Sequence, residues 1–80
     1  MNHETSMFIF LENLRRLRKR EGLSMREMAK KLGVGVKTLE QMEYGIVPAH
    51  VSCSIVFRIQ REFQVAAPLQ FSELIPLEKT

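Results

Sequence analysis

Met25-Arg26-Glu27-Met28-Ala29-Lys30-Lys31-Leu32-Gly33-Val34-Gly35-Val36-Lys37-Thr38-Leu39-Glu40-Gln41-Met42 is the stretch whose pattern decides the architecture. Met28 and Ala29 set an apolar side chain beside a small one, which lets a neighbouring helix cross closely, and Leu32 follows one turn on. Gly33 can take positive φ without steric cost, so the chain can leave the first helix there and turn. Val34 is apolar, and Leu39 and Met42 return apolar side chains at i and i+3. The spacing predicts two short helices packed across a tight turn.

Such a pair is a helix-turn-helix unit, whose second helix keeps its outer face free for a partner, typically the major groove of DNA. Working outward, Ser24 and Glu27 have capping-box spacing for the first helix of the unit, with Leu23 placed as a hydrophobic staple against Met28. The second helix is expected over Val36–Tyr44, with Gly45 just past its end. Upstream, a helix is expected from near Met7, capped by Thr5 or Ser6, to Arg20 or Glu21. Its inward stripe is Leu11, Leu14 and Leu17, with Met7 and Phe10 before them, and Gly22 ends it. Downstream, Pro48 interrupts the segment 45–51, which reads as a loop. Ser52 suits the cap of a fourth helix to about Phe63, with Val56, Ile59 and Phe63 inward, and Pro68 opens a short fifth helix to about Leu74. Pro76 and the polar Glu78-Lys79-Thr80 are expected to fray. The expected fold class is therefore all-α, five helices and no strands, in one domain over residues 1–80 with a globular part of about 7–75.

Hydrophobic residues at 45% supply one core in a chain of 80 residues. The single cysteine, Cys53, excludes an internal disulfide and is expected at or near the core; no Cys/His cluster is spaced for zinc, so no metal or cofactor is expected. The run Met7-Phe8-Ile9-Phe10-Leu11 is too short to cross a bilayer and lacks a signal-peptide flank, so a cytoplasmic protein with no membrane partner is expected. Aspartate is absent, and His3 and His50 lie apart in a tail and a loop. No nucleophile set, metal spacing or phosphate loop points to an enzyme, and no small-molecule substrate is evident. The net charge of +3 is unevenly spread. Residues 14–31 hold eight basic and two acidic residues, a local +6, while the remainder holds four basic and seven acidic, hence −3. A positive end of this kind attracts polyanions.

The segments Leu17-Arg18…Gly22-Leu23-Ser24, Met28-Ala29-Lys30-Lys31-Leu32-Gly33-Val34 and Thr38-Leu39-Glu40-Gln41-Met42-Glu43-Tyr44-Gly45 together resemble the phage-repressor helix-turn-helix family (Cro/C1-type, also called XRE) over about Leu14–Phe71. The resemblance implies a compact five-helix, lambda-repressor-like domain that binds operator DNA, usually as a two-fold dimer. It implies base-reading positions at Val36, Lys37 and Gln41. Gln41 suits adenine, Lys37 suits guanine or a phosphate, and Val36 offers only apolar contact, for instance to a thymine methyl. It further implies a partly buried ion pair between Arg18 and Glu43. Thr38 either touches phosphate or bonds back to its helix. The family's usual glutamine at the start of the first helix of the unit is here Met25, so phosphate contact falls to Ser24, Arg26 and the helix dipole, with basic groups such as Arg15 and Lys19. Tyr44 and the loop after it are further phosphate contacts, with Ile46 and Val47 expected to tuck into the core.

The reading that follows is a sequence-specific transcriptional regulator, a repressor by family habit, with double-stranded DNA as partner. The alternative is an interaction or antitoxin-type module whose main partner is another protein, slightly favoured by Met25 and Val36 on the expected DNA face. A homodimer surface is sought among Phe8, Ile9 and Phe10 at the front and Phe71, Leu74, Ile75 and Leu77 at the back.

Overall fold

A computed structural model describes residues 3–48 and 52–78, with side chains from Thr5 onward. Its elements are α1 (His3–Arg20), α2 (Met25–Leu32), α3 (Val36–Glu43), α4 (Cys53–Phe63) and α5 (Ala67–Ser72), with no strand among the described residues. Residues 49–51, which include His50, and Lys79 and Thr80 lie outside the described residues.

Local signals bound α2 and open α4 where the sequence places them. The Ser24 hydroxyl accepts from the Glu27 amide at 3.1 Å and the Glu27 carboxylate accepts from the Ser24 amide at 2.8 Å, closing the capping box of α2. Gly33 leaves α2 at φ +72, and the Val34 amide reaches back to the Ala29 carbonyl at 3.1 Å. A side chain at Gly33 would be strained by that φ and would bring a Cβ within 3.0 Å of Arg58 Cζ, so α4 closes over the turn from outside. Ser52 caps α4 by accepting from the Ser54 amide.

Helices α1 to α4 contribute to one core, with Phe71 of α5 packed half-buried against it. Phe10, Leu11, Leu14 and Leu17 come from α1, Met28, Ala29 and Leu32 from α2, Leu39 and Met42 from α3, and Ile55, Ile59 and Phe63 from α4. Ile75, beyond α5, completes it. The α2–α3 pair rests on this base, with α1 beneath α3 and α4 beneath α2.

Several expectations are corrected. The first helix begins at His3, not near Met7, because nothing in residues 3–6 breaks a helix; Thr5 and Ser6 therefore lie inside it and not at its cap position. In α4 the inward series is Ile55, Ile59 and Phe63, and Val56 is only half-buried at its flank. Cys53 is exposed, because as the first residue of α4 it shares the outer face with Phe57, itself 66% exposed. The fifth helix spans Ala67–Ser72, with Pro68 in its first turn, and stops short of Leu74. Ile46 and Val47 do not tuck in, since α1 and α2 already pack against α3, and both stand exposed.

The chain after α5 is pinned down at least as far as Ile75. Asn13, only 2% exposed on α1, donates to the carbonyls of Gln70 (2.9 Å) and Glu73 (2.8 Å) and accepts from the Ile75 amide (2.9 Å). Arg16 donates to the Ile75 carbonyl, and the Phe10 and Phe71 rings stack with centroids 4.5 Å apart. Phe10 and Ile75 are therefore core, which removes them from the candidate dimer surface, while Phe8, Leu74 and Leu77 remain exposed. No helix among the described residues is long and apolar enough to cross a membrane.

Candidate nucleic-acid interface

Helix α3 buries Leu39 and Met42, holds Glu43 inward at its last turn and turns its remaining side chains outward. Val36, Lys37, Thr38, Glu40, Gln41 and Tyr44 are all exposed on it. Lys37 and Gln41 are one turn apart, so their side chains share a face, and neither is held by another group among the described residues. The Thr38 hydroxyl makes no bond back to its helix. Polar side chains without internal partners on a bare helix can satisfy themselves only with water or a ligand.

The base of α3 is fixed by a charge pair. Arg18 Nε donates to Glu43 at 2.8 Å and Nη2 donates to its other carboxylate oxygen at 3.0 Å, while Nη1 reaches the Leu23 carbonyl at 3.3 Å. The Arg18 side chain is 19% exposed and that of Glu43 7%. The hydrogen bonds to Glu43 hold the guanidinium pKa above its ordinary value against the opposing effect of burial. These contacts tie the end of α1 and Leu23, just ahead of the α2 cap, to the last turn of α3.

Arg15, Lys19 and Tyr44 line one groove between α1 and α3, together with Met25, Glu40 and the ion pair. Glu40, exposed on α3, shares that groove with the α1 cations and offsets part of their charge. The phase of α3 carried that signal, since Glu40 lies three residues before Glu43 and shares its side. Ser24 and Arg26 open α2; the Ser24 hydroxyl already accepts from Glu27, and Arg26 is exposed with no carboxylate partner among the described residues. The two hydrogen bonds from Ser24 hold the Glu27 carboxyl below its ordinary range.

Folding also edits the local +6. Arg15 and Arg16 pair with Glu12, Arg18 with Glu43, Arg20 with Glu21 and Lys31 with Glu62. Lys19, Arg26 and Lys30 keep no carboxylate partner among the described residues, and Lys37 joins them from α3. Linear counting could not reveal this, because Glu12, Glu43 and Glu62 lie outside the basic segment.

A family model described as a helix-turn-helix domain matches residues 10–56, which include the whole of α2 and α3 and the Arg18–Glu43 brace. Neither the comparison with curated proteins nor that with solved structures gives a match.

Proposed function

The chain belongs to the helix-turn-helix domain family, and from that premise we propose that it is a sequence-specific DNA-binding regulator of transcription, a repressor of the Cro/C1 (XRE) kind. The observation that carries this reading is the bare outer face of α3, with Lys37 and Gln41 unpartnered above a buried Leu39 and Met42. In the major groove a glutamine amide pairs bidentately with adenine, and a lysine donates to guanine or to a phosphate. Val36 adds an apolar contact. Arg26 and the amides at the start of α2, with Arg15, Lys19 and Tyr44 across the groove, supply phosphate contacts that set register. The protein so described acts in the cytoplasm, binds double-stranded DNA and catalyses nothing.

Selection of bound sites from a random double-stranded library tests this reading. A recovered consensus supports it; Gln41→Ala then loses discrimination at one position, and Arg26→Ala weakens all sequences alike. Equal losses on selected and random DNA for Gln41→Ala overturn its role as a reader. With Arg15, Lys19, Arg26 and Lys37 each neutralising a phosphate, log affinity falls against log salt with a slope of about −3 to −4 per copy.

One observation favours a second reading. Tyr44, Ile46 and Val47 are 88%, 55% and 50% exposed in succession at the end of α3. Such a run of apolar side chains beside the reading face fits a protein partner, as in an antitoxin-type module. A library that yields no consensus at low salt selects that reading.

A further inference from the structure

Helices α2 and α4 enclose a second groove, to which α3 contributes nothing: Glu27, Lys30 and Lys31 line it from α2, and Arg58, Arg61 and Glu62 from α4. Both carboxylates are committed within the chain. Glu27 accepts from the Ser24 amide at 2.8 Å, and Glu62 accepts from Lys31 at 3.2 Å and lies 3.5 Å from Arg61. Two cations keep no counter-charge among the described residues: Lys30, which is exposed, and Arg58, which meets only the Lys31 carbonyl, at 3.4 Å. Arg58 is half-buried and laid over the Gly33 turn, so its charge is in place before any ligand arrives.

The α4 wall adds an apolar anchor. Phe57 is 66% exposed, next to Arg58 in sequence and one turn before Arg61, with which it shares a face. Aromatic and arginine side chains are the residues that concentrate binding energy at protein contacts. A compact inorganic anion or the backbone of a duplex would meet the cations and leave that ring in water. We infer that the α2–α4 groove holds a segment of a partner protein carrying carboxylates and a large apolar side chain, the carboxylates meeting Lys30, Arg58 and Arg61 and the apolar side chain covering Phe57.

The groove is open and about 480 Å³ in volume, against the roughly 30 Å³ of a water-sized anion, so it has room for a run of side chains. None of its six residues is among those assigned to DNA, and occupancy of one surface leaves the residues of the other free. The inference therefore does not rest on the DNA-binding reading.

The probe is a short amidated peptide with glutamates on either side of a leucine–phenylalanine pair, titrated into the isotope-labelled full chain and followed by amide chemical shifts. The largest shifts should fall on Lys30, Phe57, Arg58 and Arg61. Lys30→Glu and Arg61→Glu should each weaken the peptide about tenfold, and Phe57→Ala should weaken it by a similar factor, all with unchanged helical circular dichroism. Tripolyphosphate, which has charge but no apolar anchor, should bind more weakly than the peptide and equally well to wild type and Phe57→Ala. No binding up to about 1 mM peptide, shifts centred on Lys19 and Lys37, glutamate variants that bind like wild type, or tripolyphosphate as tight as the peptide each overturns the proposal. A DNA duplex that moves the same four amides also overturns it, by making the groove part of a nucleic-acid surface.

Discussion

Replacing Arg18 by leucine removes three donors at once: two to the Glu43 carboxylate and one to the Leu23 carbonyl. Glu43, 7% exposed, is left with its charge largely shielded from water and no counter-charge. Stranding one partner of a fully buried pair costs about 3–5 kcal/mol. The vacated side is the more open one, Arg18 being 19% exposed, so water reaches the orphaned carboxylate and about 2–3 kcal/mol is expected. In a domain of this size each kcal/mol moves Tm by about 4–8 °C, so the midpoint should fall by about 10–20 °C. Glu43→Ala should cost less, about 1–2 kcal/mol, because the freed guanidinium can swing its head into solvent on a flexible stem. The double variant Arg18→Leu/Glu43→Leu should be more stable than Arg18→Leu alone, since no charge is then stranded. Thermal and urea unfolding followed by circular dichroism measure all three, and DNA affinity taken well below every midpoint should change little. Melts identical to wild type in both single variants, or a double variant no better than Arg18→Leu, refute the reasoning.

Three further outcomes follow from the same geometry. Asn13→Ala leaves two buried carbonyls and one buried amide without partners, and should cost about 2–4 kcal/mol in urea titration, together with faster proteolysis after residue 72. Gly33→Ala must hold φ +72 with a Cβ and push against the Arg58 guanidinium, for a loss of about 1–2 kcal/mol by thermal melt; a neutral result would mean the α2–α3 turn relaxes freely. Glu27, held below its ordinary value of 4.5 by its hydrogen bonds to Ser24, stabilises α2 fully above that pH, and the contribution is lost as pH falls through the lowered value. Glu27→Gln should flatten the acid limb of the Tm-versus-pH curve, and an unchanged limb would remove the cap from the account.

Most of the fold was legible because it is written in local signals. The capping box, the glycine turn at Gly33 and the i, i+3 stripes each need only a few adjacent residues to be recognised. What escaped depends on residues far apart in sequence. Asn13 reads as a polar interruption of an apolar stripe, yet it is the hub that holds a segment some sixty residues later. Ile55 and Val56 are both β-branched or branched apolar residues in a helix whose neighbours on two sides decide which one turns in. Cys53 followed its helix phase rather than the burial habit of its residue type. On the site, the positions of Lys37, Gln41 and the Arg18–Glu43 pair came from the family resemblance, whereas the placement of Glu40 beside the α1 cations follows from its three-residue spacing from Glu43 once the Arg18 brace is known.

The same distinction governs the electrostatics. A count along the chain finds eight cations between residues 14 and 31, but folding assigns carboxylates to five of them and so leaves the long-range field to a few groups. On the proposed reading, three or four phosphate contacts and one amide reader would make a weak and strongly salt-dependent binder. Lys19→Ala should then flatten the dependence of log affinity on log salt by about one unit of slope on every duplex, whereas Gln41→Ala should lower affinity for a selected duplex and leave the slope unchanged. A slope unchanged in Lys19→Ala would place that side chain away from the DNA.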